Sequence, residues 1–364
     1  MKILVDLGHP AHVHLYKNII KALEKKGHTV KVTVRDKDVA IDLLKAYEIP
    51  FQVVEKKSLN FSLISEWGYR DYKIYKISKK FEPDLFLGTL NPVIAHCAKI
   101  LDKPSIIFTD YEPDSIKYPL GHYLTSPFVD TILTPTSVRY SYGPKEFKLD
   151  SFKELAYLHP NHFIPDSNVL DQIGLEKDGR FTIIRFITWG AHHDVDRSGF
   201  NLSEKMELIE RLEKESKVLI SSEGPLPEEL KKYEISINPE DMHDLLYYAN
   251  LFICDSQTMA TEAALLGTPS IRCNSFVGEN DFGNFIELEK KYNLMFNYKD
   301  SKKAIEKAGD LIRRSNLDKE WDERREKLLK DKIDLSSFMV WFIENYPDSF
   351  EKMKRNPEIQ DRFR

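Results

Sequence analysis

A chain of 364 residues predicts two domains at roughly 150 residues each, both large enough to bury a core, and excludes a disulfide-stapled mini-scaffold. Hydrophobic residues at 41% and charged residues at 30% exclude long disorder and fibrous repeats. With 53 Lys and Arg against 58 Asp and Glu, the net charge of -5 supplies no general field for nucleic acid, and no nucleic-acid partner is expected.

In chain order, Ile3-Leu4-Val5 is a short apolar run ended by Asp6-Leu7-Gly8-His9-Pro10, and Leu15, Ile19, Ile20 and Leu23 follow at helical spacing up to Gly27. This predicts strand, loop, helix. Thr29 to Val34 alternates and is β-branched, a helical stretch runs from Val39 to Tyr47, and Phe51 to Val54 repeats the unit. Further apolar runs at 85–87, 105–108 and 131–133 are separated by helix-compatible segments such as Pro92 to Leu101. The turn-rich stretch His159 to Asp166 marks a linker near 160–178, and a second series opens at Phe181 to Phe186, with strands at 218–220, 251–254 and 270–272 and helices around 203–214, 241–249 and 258–266. Such alternation predicts an α/β fold of two doubly wound parallel-sheet domains, 1–165 and 178–335, followed by a helical tail over 336–364 that crosses back.

Cys97, Cys254 and Cys273 match neither a zinc ribbon nor a disulfide framework, so they read as buried thiols and no metal is expected. No apolar stretch approaches the roughly 18 residues of a membrane span, which together with the cysteine usage gives a cytoplasmic protein as the expectation. Peripheral membrane contact stays open if a substrate is lipid-linked.

Ligands of open parallel sheets bind beyond the carboxyl ends of the strands, so the loops after strands carry the candidates. Gly8-His9-Pro10-Ala11-His12 lacks the G-x-G-x-x-G turn of dinucleotide enzymes, and its imidazoles suit a general base near neutral pH, with His12 and His9 the candidates. Thr109 to Asp114 concentrates three carboxylates after one strand, of which Asp110 is nearest the sheet. Thr188 to Asp194 contains His192 and His193, suited to a phosphate or hydroxyl-rich ligand, with Arg185 as a charge partner.

The most informative segment is Asp255-Ser256-Gln257-Thr258 through Glu262 to Gly267-Thr268-Pro269. Ser256 reads as the N-cap of a helix whose free N–H groups, with the hydroxyls of Ser256 and Thr258, suit a phosphate. Glu262 is the only charge between Asp255 and Arg272, and a buried carboxylate needs a partner. The residue three positions earlier is Met259, so a capping box fails, leaving a ribose diol or a structural ion pair.

These residues resemble the GT-B superfamily of sugar-nucleotide enzymes over positions 1 to about 335. In the non-hydrolysing UDP-N-acetylglucosamine 2-epimerases a comparable D-S segment carries its ribose-binding Glu six residues after the Ser, which the resemblance places on Glu262. Gln257 and Thr258 stand where that family has two glycines. Pro10-Ala11-His12-Val13 resembles the G-G-H-V of the murein-precursor N-acetylglucosaminyltransferases, carrying their cleft histidine onto His12, and Asp241-Met242 resembles their D-M, carrying the base pocket onto Met242. The pattern is most similar to an uncharacterised, largely prokaryotic group with the GT-B-like fold, two Rossmann-like domains facing a cleft.

The resemblance implies a glycosyltransferase moving a sugar from a nucleotide-diphosphate sugar, of UDP type, to a carbohydrate or lipid-linked acceptor hydroxyl, with no cofactor beyond that substrate. His12 or Asp110 would take the acceptor proton. The alternatives are a sugar-nucleotide 2-epimerase and a GT-B scaffold that only binds.

Overall fold

The computed structural model describes residues 1–54, 63–115, 119–176, 179–186, 199–222, 224–279 and 281–364. Among them, β1 (Lys2–Leu7), β2 (Thr29–Val34), β3 (Phe51–Val53), β4 (Leu85–Gly88), β5 (Ser105–Phe108), β6 (Thr131–Pro135) and β7 (Glu146–Leu149) form one sheet, in the order β3-β2-β1-β4-β5-β6-β7. A second sheet holds β8 (Phe181–Phe186), β9 (Lys217–Ser222), β10 (Leu251–Cys254), β11 (Ser270–Cys273) and β12 (Met295–Tyr298), in the order β12-β11-β10-β8-β9. Every pairing in both sheets is parallel. Helices covering a parallel sheet on both faces bury its inner strands completely, which is why β4, β5 and β10 are unbroken apolar or small runs.

The chain divides into two compact units, Met1–His162 with Lys332–Arg364, and Phe163–Asp331. The helical tail expected as a segment from 336 is thus part of the first unit, whose second portion begins at Lys332. Its helix Leu335–Glu344 packs on the helices Pro10–Lys25 and Leu155–Leu158, burying Phe338, Met339, Phe342 and Ile343. Pro10–Lys25 starts with Pro at its first position and His9 as N-cap, and buries the Leu15, Ile19, Ile20 and Leu23 stripe.

In the second unit, the helix expected over 258–266 spans Thr258–Leu266 and ends at Gly267, whose φ of 89° is the left-handed conformation that glycine adopts without strain. The expected N-cap is corrected. Gln257, not Ser256, occupies that position, in helical backbone conformation and without a side-chain cap bond, because the turn after β10 runs one residue further before the helix begins.

Candidate functional site

At the carboxyl edge of the first sheet, β1 delivers Asp6 and then the Gly8-His9 turn. Asp6 is fully buried and accepts from Arg70 Nη2 at 3.1 and 3.0 Å, from Thr33 Oγ1 at 2.8 Å and from Asn91 Nδ2. A buried guanidinium and carboxylate thereby pair beneath the surface of the edge. His9 Nδ1 accepts from Ala11 N at 3.2 Å, so one nitrogen of this candidate base is spent on capping.

His12 is half-buried beside it, its ring 5.9 Å from that of His9. The Gly8 N–H donates to His12 Nδ1 at 3.2 Å, and Thr89 Oγ1, just beyond β4, lies 3.2 Å from Nδ1 and 3.3 Å from Nε2. A backbone donor on Nδ1 puts the proton of the neutral ring on Nε2. Burial first, then the neighbouring His9, Lys153, Lys37 and Arg70, hold the imidazole well below its ordinary value. His12 therefore presents a neutral Nε2–H donor, and the base role expected for it is open only once the Gly8 bond is surrendered.

This has a pH signature. Below the ordinary value of 6.5 the unfolded chain takes up a proton that the folded ring refuses, so stability decreases as the pH is lowered from 6.5 towards the lowered value. His12→Gln is expected to flatten that acid slope in urea titrations repeated at several pH values; an unaltered slope would contradict the assignment.

Asp110, after β5, accepts from Lys153 Nζ at 2.6 Å through Oδ2 and remains partly exposed, with its side chain 30% accessible. Burial alone would depress the Lys153 ammonium, but Asp110 and Glu154, the latter at 3.4 Å, hold it above its ordinary value. Glu112 is different. Arg139 donates Nε and Nη2 to its Oε2 at 3.2 and 3.0 Å and its backbone N to Oε1 at 3.1 Å, so this carboxylate staples two loops together. Of the three acids after β5, Asp110 alone combines closeness to the strand with an oxygen that has no partner among the described residues.

In the second unit, β10 leads through Asp255 into Ser256, Gln257 and Thr258 at the start of the Thr258–Leu266 helix. Asn274 Nδ2 donates to the Asp255 carbonyl at 3.0 Å, and a Cβ at Gly199 would collide with the Asp255 carboxylate, so only glycine permits that approach. Ser256 is buried, whereas Gln257 and Thr258 are half-buried at the helix tip. Arg185, on β8, donates through Nη1 to Ser221 Oγ on β9 at 2.6 Å.

Glu262 is buried, 4% exposed, and its Oε1 lies 3.0 Å from Nε2 of the equally enclosed His243. The partner demanded by this carboxylate is therefore an imidazole on the neighbouring helix Met242–Tyr248, which begins with the half-buried candidate Met242. Sequence reasoning missed His243. It directly follows the Asp241-Met242 pair, but no spacing rule joins position 243 to 262. Thr89, Lys153 and the Asp6–Arg70 pair were likewise not singled out. His192 and His193 lie outside the described residues.

The fold has clear likenesses among solved structures. The UDP-GlcNAc 2-epimerase of Neisseria meningitidis bound to UDP-GlcNAc is similar over 97% of this chain and 100% of its own, with a TM-score of 0.66 at 14% identity. The UDP-GlcNAc 2-epimerase of Methanocaldococcus jannaschii matches over 86% of this chain and 94% of its own, TM-score 0.62 at 15% identity. A spinosyn rhamnosyltransferase complexed with spinosyn aglycone matches over 95% of this chain and 100% of its own, TM-score 0.58 at 13% identity. Two parallel-sheet domains of seven and five strands, flanked by helices as in these structures, make this an α/β chain of the GT-B fold. It belongs to the family described as protein of unknown function, DUF354, which matches residues 1–343. An uncharacterized protein of Methanocaldococcus jannaschii is 22% identical over 288 residues, 75% of this chain and 82% of that protein.

Proposed function

We propose that the protein is a glycosyltransferase that moves a sugar from a nucleotide-diphosphate sugar to an acceptor hydroxyl. The observation that carries this reading is the state of the carboxylates at the first sheet's carboxyl edge. Asp6 is consumed by Arg70, and Glu112 by Arg139, while Asp110 keeps one oxygen open. Transfer to a hydroxyl needs one proton acceptor, which Asp110 Oδ1 supplies. His12 Nε2–H and Thr89 orient the acceptor oxygen. Epimerisation at a ring carbon needs a second group to return a proton, and neither Asp6 nor Glu112 is available for it.

On the donor side, the diphosphate rests at the amino end of the Thr258–Leu266 helix, where free N–H groups and the Ser256 and Thr258 hydroxyls stabilise the leaving charge. Glu262, whose Oε1 lies 3.0 Å from His243 Nε2, is the residue proposed to meet the ribose diol. Gln257, Met242, Arg185, His192 and His193 complete the proposed donor side, with a UDP-type nucleotide as the first candidate.

Purified protein titrated with UDP-, GDP- and CDP-sugars is expected to bind one class, and Glu262→Gln to weaken that binding about 10- to 100-fold through loss of a charge-assisted hydrogen bond. No binding by any donor would end this reading. The second reading, a sugar-nucleotide 2-epimerase, is favoured by the likeness to the epimerase structures and by the six-residue step from Ser256 to Glu262. Deuterium entering sugar C2 from heavy water, without an acceptor, would establish it instead.

A further inference from the structure

The helix Leu63–Phe81 has two opposed faces. Glu66, Arg70, Ile74 and Ser78 recur at helical spacing and are buried, and Tyr72, Lys73, Lys76 and Lys80 occupy the opposite stripe in solvent. The lysines sit over the tyrosines one turn earlier, Lys73 Nζ 5.3 Å from the Tyr69 ring and Lys76 Nζ 4.6 Å from that of Tyr72. The helix's two described acids lie off the lysine stripe, Glu66 paired with Arg35 and Asp71 with His96.

His96 joins this helix to its neighbours. Its Nδ1 lies 2.9 Å from Asp71 Oδ2, its Nε2 donates to Leu124 O at 2.9 Å, and its ring meets Phe128 edge-on at 5.2 Å. Phe128 thus packs on His96, Tyr72 and Tyr123 are the chain neighbours of its partners Asp71 and Leu124, and Ile100 lies one turn further along its own helix. Tyr72, Ile100, Leu120, Tyr123 and Phe128 are five of the ten large apolar side chains exposed among the described residues, and all five lie on the helices Leu63–Phe81, Pro92–Ile100 and Leu120–Thr125, which pack in succession, or just after the last of them.

We propose that this face of the first unit docks on an anionic lipid bilayer. Aromatic rings, aliphatic tips and a lysine stripe match a headgroup boundary, where apolar side chains enter the interface and ammonium groups meet phosphate. Two other occupants fit less well. A symmetric second copy would bring each lysine stripe against the same charges, and a single-stranded nucleic acid would gain nothing from Ile100 and Leu120, which have no face for stacking on a base. The net charge of -5 is no obstacle, because exposed charges beyond about 10 Å are screened at ordinary salt and the surface field is local.

The test is cosedimentation of the full chain with sucrose-loaded vesicles of phosphatidylglycerol and phosphatidylcholine, against phosphatidylcholine alone. Binding is expected with the mixed vesicles and release on raising salt. Removing two lysines in K76A/K80A is expected to weaken it roughly 25-fold, at about fivefold per lysine. The apolar variant I100S/Y123S is expected to weaken it on the order of tenfold. All four positions are exposed, so thermal melts should match the parent protein, and each pair tests the face if the other misfolds. Sedimentation no greater than without vesicles, or binding unchanged in both variants, would overturn the proposal. So would a dimer dissolved by I100S/Y123S, or retention on RNA at a salt concentration that releases the vesicles.

Discussion

Asp110→Asn is expected to lower sugar transfer by about 100- to 10,000-fold, the range lost when a positioned general base is removed. The amide keeps the size of the carboxylate and an oxygen for the Lys153 ammonium, 2.6 Å from Asp110 Oδ2, and Lys153 keeps Glu154 at 3.4 Å. Local structure should therefore survive, while the atom that takes the proton is gone. Donor binding, assigned to Ser256, Thr258 and Glu262, should be unchanged, so the loss appears in kcat and not in the donor's Kd. Transfer at the parent rate in Asp110→Asn would move the base elsewhere, with His12 the next candidate. A matching loss of donor affinity would show that Asp110 shapes the site rather than accepting a proton.

Asp6→Ala is expected to cost about 3–5 kcal/mol, because it leaves a buried guanidinium without its counter-charge. Arg70 is 4% exposed and donates to both Asp6 oxygens, and Thr33 and Asn91 lose their acceptor in the same step. At about 2–4 °C per kcal/mol for units of this size, the melting temperature of the first unit should fall by about 6–20 °C. Adding Arg70→Met should recover part of the loss, since the uncompensated charge goes with it. A calorimetric scan of Asp6→Ala that overlays the parent would mean that Arg70 finds another acceptor.

Much of this architecture was legible because inner strands of helix-covered sheets are rich in apolar and β-branched residues, and the runs at Ile3, Thr29, Leu85, Ser105, Phe181 and Leu251 stand out accordingly. The strands without an expectation, β7 and β12, are both sheet edges. β7 buries only alternate residues, and its Glu146 and Lys148 interrupt any apolar run. Glu262 announced itself as a lone charge on an apolar helix, but its partner did not, since His243 meets it through packing of two helices. The same holds for Lys153 and Asp110, 43 positions apart. The lysine and tyrosine stripe of Leu63–Phe81 looks like an ordinary solvated helix until the exposed apolar tips on the helices packed in succession after it are taken together with it.

The first unit draws on both ends of the chain, with Lys332–Arg364 closing it. A nascent polypeptide leaving the ribosome therefore completes Phe163–Asp331 while the earlier portion still lacks Phe338, Met339, Phe342 and Ile343. Until those residues emerge, the Pro10–Lys25 helix presents an uncovered greasy flank. That flank gives chaperones a foothold during translation, and a premature stop before 332 would leave it open for good.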